Sequence, residues 1–297
     1  MAFRIEEFFG FAPTDDSAAA QAHRASQACP FLEAPCTKSF NDGSPAGACS
    51  MRLKDGSRVV TCPNRMYADN YQILRDVASM AFGGVSNLVS GGSYASNGQG
   101  AEQVVVFGHG WGKELRLPKK GGRGSYFVDW ILARVTAAGE VADFTAIEVQ
   151  TIDTTGTYRP EAKTYLAGRE FVGWSNGNLN WENVNKRILP QIIYKGNVLR
   201  REKRCSRGMY FVCPTSVHDR IMTRLGSNLM EYGMHPGSLT FAWYDLGESA
   251  AGEIAPLKLA GTFTTTIDQV ANSFVAPTDL PEQGVYENAL NEALRPT

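Results

Sequence analysis

The sequence predicts an α/β protein in which a mixed central sheet is flanked by helices. In the middle of the chain, two segments with a two-residue period read as strands, at 126–133 and 146–153. The last third then alternates strand-like and helix-like segments, at 209–212, 216–225, 240–245 and 258–267. Helices between strands imply a sheet covered on both faces. With 297 residues the chain can bury a full core, as one large domain or two modest ones.

Charge and hydropathy limit the classes of function. The chain has 29 basic and 30 acidic residues, so its net charge does not indicate a nucleic-acid binder, although an acidic exterior can balance a basic cleft. No apolar run reaches the roughly 18 residues of a membrane helix. The first residues lack a signal-peptide pattern. We therefore expect a soluble, intracellular protein with no membrane partner.

Four cysteines organise the N-terminal third. They are separated by six, twelve and twelve residues, at Cys29, Cys36, Cys49 and Cys62. The segment between them is rich in Gly, Pro, Ser, Asp and Asn, so its order requires a cross-link. In a reducing cytosol a metal is favoured over disulfides, and four sulfur ligands suit zinc or iron. The spacing lacks a Cys-x2-Cys pair, which leaves inert thiols as the alternative. Cys205 and Cys213 are expected to be buried free thiols.

The cysteine segment is followed by a predicted helix and a loop. Asn64 can cap a helix that runs to about Phe82 and stops at Gly83. Residues 86–100 are rich in Gly, Ser and Asn, which is typical of a linker. We therefore predict an N-terminal metal-binding lobe over residues 1–85 and a core over residues 86–297.

The two middle strands each carry an acid among apolar residues. Asp129 shares one face of its strand with Phe127 and Ile131, and Glu148 shares a face with Gln150. A buried carboxylate is costly unless it is paired or bound to a metal. Two carboxylates on adjacent strands suit Mg²⁺, which points to phosphodiester hydrolysis with Gln150 orienting a water. The alternative is a pair of ordinary buried salt bridges.

The order of these motifs resembles a known family. Asp129 followed by Glu148-Val149-Gln150 resembles the PD-(D/E)xK nuclease signature, with Gln in place of the usual Lys. Combined with the four cysteines, the pattern resembles the NotI-type restriction endonucleases. The matching stretches are Cys29-Pro30-Phe31-Leu32, Cys36, Cys49, Cys62-Pro63-Asn64-Arg65, Lys113-Glu114-Leu115, Phe127-Val128-Asp129-Trp130 and Glu148-Val149-Gln150-Thr151-Ile152-Asp153.

The resemblance implies a restriction-endonuclease-like core with an N-terminal four-cysteine lobe. It implies a type II enzyme that cuts double-stranded DNA with Mg²⁺, held by Asp129 and Glu148. Gln150 would position the water, although it cannot act as a general base, and Glu114 is a further candidate ligand. The four cysteines would hold a structural iron or zinc. Relatives cut GC-rich palindromes as homodimers in the bacterial cytoplasm, beside a protecting DNA methyltransferase.

Two basic stretches are candidate DNA contacts. Lys119, Lys120 and Arg123 form a turn directly before the Asp129 strand. A helical stretch at 183–204, which Pro190 is expected to kink or divide, carries Lys186, Arg187, Lys195, Arg200, Arg201, Lys203 and Arg204. Such cations can contact phosphates. Solvated surfaces are the alternative in both places.

Three other functions compete with restriction. A repair or structure-specific nuclease of the same superfamily would lack a fixed recognition sequence. A metal-stabilised DNA-binding protein would use the two acids only in salt bridges. A metal–sulfur redox protein would need no acid pair. A neighbouring methyltransferase gene would favour restriction.

Overall fold

The chain folds around one large sheet with smaller sheets beside it. The computed structural model describes residues 2–84, 87–97, 100–112, 114–118, 125–276 and 280–295. In this part of the chain the strands are β1 (Phe3–Phe8), β2 (Ala28–Cys29), β3 (Ala34–Pro35), β4 (Ala48–Leu53), β5 (Arg58–Val60), β6 (Leu88–Ser90), β7 (Gln103–Gly108), β8 (Arg116–Pro118), β9 (Ser125–Phe127), β10 (Trp130–Val135), β11 (Val141–Val149), β12 (Thr154–Gly156), β13 (Gly177–Leu179), β14 (Met209–Pro214), β15 (Ser238–Leu246) and β16 (Leu257–Thr266).

Helices lie between these strands, as the sequence predicts. The described α-helices are α1 (Ala18–Ser26), α2 (Ala68–Phe82), α3 (Gly91–Asn97), α4 (Arg159–Leu166), α5 (Leu189–Leu199), α6 (Thr215–Leu225), α7 (Ile267–Val275) and α8 (Val285–Ala293). A 3₁₀ turn at Pro63–Tyr67 precedes α2, and a π-helical turn at Val184–Ile188 precedes α5. No helix of the described ranges has the length and apolar character that crossing a bilayer requires.

The central sheet has the strand order β16-β15-β14-β11-β10-β7-β6. Strands β11, β14 and β15 run parallel to one another, and β10 runs antiparallel to both β11 and β7. Strand β16 is antiparallel to β15, whereas β6 is parallel to β7. The prediction of a mixed sheet flanked by helices is therefore confirmed.

Helices cover both faces of this sheet. On one face, Leu74 and Val77 of α2 share a buried cluster with Ile147 and Val149 of β11. The opposite face is covered by α5, α6 and α7, whose buried residues pack with Ala146 of β11. Residues 146, 147 and 149 thus alternate between the two faces, as the two-residue period predicts. By the same period, position 148 faces the side of α5.

The helical segment at 183–204 changes from π-helical to α-helical hydrogen bonding beside Pro190. A π-helical turn ends at Ile188, and α5 then begins at Leu189 with Pro190 in its first turn. Proline has no backbone N–H to give to the helix interior, so it is tolerated at a helix start and breaks a longer one. Here the helical backbone continues without a break, since Ile188 and Leu189 both have right-handed helical φ and ψ values, so the predicted division is wrong and a kink stays a prediction.

The predicted helix from Asn64 to Phe82 is wrong in its first turns. Asp69, Asn70 and Tyr71 have φ values of 54°, 51° and 59°, which place them in the left-handed region. Non-glycine residues adopt this conformation only at a cost in free energy. The guanidinium of Arg75 donates hydrogen bonds to the carbonyl oxygens of Asp69 and Asn70, which holds the turn in place. Regular helix follows and ends at Gly83, as predicted.

The N-terminal region has a small sheet of its own, β1-β4-β5. A buried ion pair joins it to the 3₁₀ turn. Arg65 Nε donates to both carboxylate oxygens of Glu7, at 2.9 and 3.0 Å, and Ser50 Oγ donates to Glu7 Oε2 at 2.6 Å. Helix α2 belongs to the same stretch of sequence but packs on the central sheet. The division at residue 85 stays a prediction.

Candidate active site

The candidate site lies where β11 ends near the centre of the sheet. Glu148 is the penultimate residue of that strand and is only 2 % exposed. Its strand neighbours Ile147 and Val149 pack toward α2. Because side chains alternate along a strand, the carboxylate of Glu148 projects toward α5. Gln150 follows β11, and its backbone N–H donates to Val212 O at 3.0 Å.

Asp129 lies beside Glu148, but at a bend rather than within a strand. Strand β10 begins one residue later, and its Trp130 pairs with Ile147 of β11. Asp129 Oδ2 accepts a hydrogen bond from the backbone N–H of Val149 at 2.7 Å. The N–H of Val149 therefore bonds a side chain instead of a strand carbonyl, next to the first residue pair of the β10–β11 ladder. The prediction of one continuous strand through Asp129 is therefore wrong, although its position next to Glu148 is as expected.

The third charged group is Lys195, which the sequence places in the basic DNA-binding stretch. Its Nζ donates to Glu148 Oε1 at 2.5 Å, and the two side chains are 9 % and 3 % exposed. On α5, Lys195 falls three residues after Ile192 and four before Leu199, both of which are buried. A lysine on the apolar face of a helix was the available signal in the sequence.

Burial and mutual repulsion shift the pKa values of the two acids. Burial, followed by the negative charge of Asp129, raises the pKa of Glu148 to about 7, while Lys195 and the Gln150 side chain act to lower it. Burial also raises the pKa of Asp129, against the Val149 N–H and the charge of Lys195. Two carboxylates that share an apolar site disfavour each other's ionised form. A cation bound between them would reverse this effect.

One oxygen of the pair has no partner. Glu148 Oε2 is buried and has no hydrogen-bond partner of ordinary geometry among the described residues, although the Gln150 side chain lies near enough to Glu148 to lower its pKa through a longer hydrogen bond. A buried polar atom of this kind is costly and is usually explained by a water or an ion. Mg²⁺ is typically held by one or two carboxylates together with waters and substrate phosphates. Asp129 and Glu148 therefore fit a Mg²⁺ site in their chemistry. No group of three or more His, Cys, Asp or Glu side chains is arranged as a metal site in the ranges described above.

Glu114 lies at the exposed side of the site. Its side chain is 51 % exposed and its Oε1 is 3.6 Å from His109 Nδ1. The negative charge of Glu114 acts to raise the pKa of Asp129, so the two carboxylates are within electrostatic reach of each other. Its role as a further ligand stays a prediction.

The predicted DNA contacts on the helical stretch are exposed and mostly paired. Lys186 Nζ lies 3.2 Å from a carboxylate oxygen of Glu182, Arg187 Nη1 lies 3.7 Å from one of Asp153, and Arg200 Nη1 lies 2.7 Å from one of Asp268. The sequence stretch itself contains few acids, but the fold brings acids from other segments to it.

The remaining predicted contacts are placed as follows. Arg201 is exposed and borders an apolar cavity together with Lys203 and Arg204. Lys119, Lys120 and Arg123, like Lys113 of the matching stretches, lie outside the described residues.

The four N-terminal cysteines lie near one another as free thiols. Cys29, Cys49 and Cys62 are buried and Cys36 is partly exposed. Burial raises the pKa of Cys49, and the charges of Cys62 and Cys29 add to the effect. Burial, with the charges of Cys62, Cys36 and Cys49, likewise raises the pKa of Tyr158. The arrangement in the described residues is not that of a metal centre. The predicted iron or zinc site is not supported by this geometry.

Comparison with known proteins gives the family. No curated protein matches the chain. A family model described as "Restriction endonuclease NotI" matches residues 15–214, which is about two thirds of the 297 residues. The matched range contains the four cysteines, Asp129, Glu148 and Lys195, so it covers both the N-terminal segment and the acidic site. The chain belongs to the NotI restriction endonuclease family, and the family implies a DNA endonuclease that acts on double-stranded DNA.

Proposed function

We propose that the protein is a Mg²⁺-dependent type II restriction endonuclease whose catalytic centre is the Asp129–Glu148 pair. The observation that carries the proposal is the buried, unpartnered Glu148 Oε2 beside a second carboxylate. It supports a cation site in a chain of a restriction endonuclease family. The PD-(D/E)xK order of the motif, with Gln150 in the lysine position, is part of the same proposal.

Each carboxylate of the site has one oxygen bound by the protein and one that we assign to the metal ion. The Val149 N–H fixes the carboxylate of Asp129, so that one oxygen is committed to the backbone and the other remains for a ligand. Glu148 offers Oε2 in the same way, while Lys195 holds its Oε1. Mg²⁺, when bound by these acids, would supply a Lewis acid that polarises the scissile phosphate and lowers the pKa of the attacking water.

Gln150 and Glu114 border this pair. Gln150 has an amide that can donate to a water and accept from it, but it cannot remove a proton. We assign it the positioning of the water. Glu114, on the exposed side, is assigned a supporting role as a ligand through its reach to Asp129.

Cleavage of plasmid DNA tests the proposal. Wild-type protein should give discrete fragments only when Mg²⁺ is present, and Asp129→Asn should give none. The matched control is Asp143→Asn, which changes a carboxylate at the other end of β11 that is paired with Arg134 at 2.8 Å. Fragments from the control but not from Asp129→Asn support the site. Equal cleavage by both variants contradicts it.

We further propose that the enzyme is a homodimer that reads a GC-rich palindrome, since a two-fold dimer presents the same surface to both half-sites. The resemblance to NotI-type enzymes supports the dimer and the palindrome. We propose the exposed cations Lys186, Arg187, Arg200 and Arg201 as phosphate contacts, with Lys119, Lys120 and Arg123 as further candidates. Sequencing of fragment ends tests the palindromic recognition site, and sedimentation analysis tests the homodimer. Cuts without a common sequence would favour the repair-type nuclease, and a protein that binds DNA without cutting it would favour the non-cleaving alternative.

The cysteine segment forms the last part of the proposal: a structural iron or zinc held by Cys29, Cys36, Cys49 and Cys62. Four sulfur donors suit such an ion, and each of the three buried thiols lies within electrostatic reach of another cysteine of the set, although their geometry is not that of a metal centre. No step of cleavage depends on it. Metal analysis of purified protein should give about one equivalent, which Cys49→Ser loses. Cys213→Ser, which alters an equally buried thiol outside the set, should keep it. Equal metal content in both variants, or none in the wild type, contradicts the proposal.

A further inference from the structure

The active site contains a cation that its motif lacks. In Glu148-Val149-Gln150 an amide stands where the superfamily signature has lysine. A lysine nevertheless reaches Glu148 from α5, 47 residues further along the chain, with its Nζ 2.5 Å from Oε1. Position 148 projects toward α5, so the amine enters the site from the helix layer rather than from the strand.

Lys195 has donor hydrogens for which the described residues supply no acceptor. An ammonium group has three donor hydrogens, and in the described residues Lys195 Nζ has Glu148 as its one acceptor. Its positive charge also acts on Asp129, where it lowers the pKa. The amine is therefore within electrostatic reach of both acids and has hydrogens left for a third group. A phosphate oxygen or an attacking water brings an acceptor of this kind.

The helix that carries Lys195 is held firmly in place. Ile192 and Leu199, on the same face of α5, are buried in the cluster beneath the sheet. Gly196 packs against Ile267 of α7 so closely that a β-carbon at this position would overlap the Ile267 side chain. The amine is thus fixed by packing, which is the condition for a preorganised catalytic group.

A plain structural role explains these facts less well. A buried ion pair contributes little net stability unless its remaining hydrogen-bonding atoms are satisfied. Here the carboxylate keeps an unpartnered oxygen, and the amine keeps two unused hydrogens among the described residues. Both sets of unused atoms belong to the same site. Resting on the proposed function, we propose that Lys195 is a catalytic residue that supplies from α5 the amine missing from position 150, and that it contacts the scissile phosphate or the attacking water.

Restoring lysine to the motif position provides the test. Lys195→Met keeps the length and apolar stem of the side chain but removes the charge. At saturating Mg²⁺ and DNA we expect its cleavage rate to fall about 100-fold, with KM for DNA within about threefold of wild type. The double variant Lys195→Met/Gln150→Lys should recover at least about tenfold, because the amine returns on the same face of the site. The control is Lys163→Met, on the exposed side of α4, which should cleave at the wild-type rate.

A second measurement separates chemistry from structure. Titration calorimetry should show that Lys195→Met binds Mg²⁺ at least as tightly as wild type, because a repelling positive charge has been removed. A structural role alone would instead weaken Mg²⁺ binding, and recovery by Gln150→Lys would fail. Should Lys195→Met not fold, Lys195→Gln carries the same comparison.

Each outcome decides the inference. An unchanged rate in Lys195→Met overturns it, as does a lower rate that Gln150→Lys does not raise. If the wild type itself shows no cleavage that depends on Asp129, the proposed function fails. If the wild type cleaves and Lys195→Met cleaves equally, only the assignment of Lys195 fails.

Discussion

Two buried ion pairs in this protein have the same kind of partners and different surroundings. At Glu7, both carboxylate oxygens accept hydrogen bonds, from Arg65 and from Ser50, and Arg65 also donates to a backbone carbonyl. At Glu148, one oxygen is bound by Lys195 and the other has no partner in the described part of the chain. Both oxygens of the first carboxylate are satisfied by the protein, whereas the second keeps one oxygen that the described residues leave without a partner. The difference lies in the carboxylates alone, since Arg65 Nη1 is also buried without a partner among the described residues.

The largest effect is expected in the cleavage rate, which substitution of Glu148 should lower strongly and substitution of Glu7 should leave nearly unchanged. Glu148→Gln should lower the cleavage rate about 1000-fold, because it removes a negatively charged metal ligand. It should cost little stability, because one oxygen of Glu148 has no hydrogen bond to lose among the described residues. Glu7→Gln should unfold at lower temperature and cleave at nearly the wild-type rate per folded molecule. Plasmid cleavage and thermal melting measure both. Equal loss of cleavage in the two variants would remove the distinction.

The next effect concerns the two cations. Arg65→Met should lower the free energy of unfolding by roughly 3–5 kcal/mol, because it leaves Glu7 buried and uncompensated. Lys195→Met should cost clearly less, since Glu148 has a raised pKa and can take up a proton. Denaturant unfolding at constant pH measures the difference. A larger cost for Lys195→Met would make the Glu148 pair part of the framework.

The pH dependence of stability should follow Glu148. Its pKa rises from an ordinary 4.5 to about 7 on folding, so the folded protein holds a proton that the unfolded chain releases. The stabilising contribution is complete below about pH 4.5 and is lost as the pH rises through about 7. In EDTA, we expect the melting temperature to fall on the order of 5 °C from about pH 5 to about pH 7.5. Glu148→Gln should lose most of this slope, whereas Glu7→Gln should keep it.

The smallest effect is expected at exposed pairs. Arg187→Ala removes a cation that lies 3.7 Å from Asp153 at the surface, where pairing contributes little stability. If Arg187 contacts phosphate, DNA affinity should fall modestly and the slope of log affinity against log salt should decrease by about one. Arg52→Ala, which removes a cation paired with Glu6 in the small N-terminal sheet and not among the proposed contacts, should leave that slope unchanged. Identical salt slopes for Arg187→Ala, Arg52→Ala and wild type would exclude the contact.

The sequence carries some of these features and not others. Strand alternation correctly put Glu148 opposite Ile147 and Val149, whereas the expected division at Pro190 is absent, because a π-helical turn continues directly into α5. The bend at Asp129 could not be predicted, because it depends on a hydrogen bond to Val149 that forms only when β10 meets β11. Periodicity treats an acid in an apolar run as one more strand position.

Lys195 shows the other limit of the sequence. In the chain it stands among cations, which favours a basic surface, while its spacing from Ile192 and Leu199 favours burial. Charge composition and helical periodicity therefore gave opposite answers at this residue. The partner that decides between them is Glu148, 47 residues earlier. The left-handed turn at Asp69 to Tyr71 is similar, since Arg75 holds it through contacts that no local preference indicates.

The order of strands in the central sheet also determines when the site can form during synthesis. Both acids leave the ribosome well before Lys195, and β11 remains without one of its neighbours until β14 (Met209–Pro214) has been made. A nascent chain therefore carries the carboxylates without the amine or the covering helices. The complete arrangement of the two acids and the amine therefore requires that the chain has been made at least through β14.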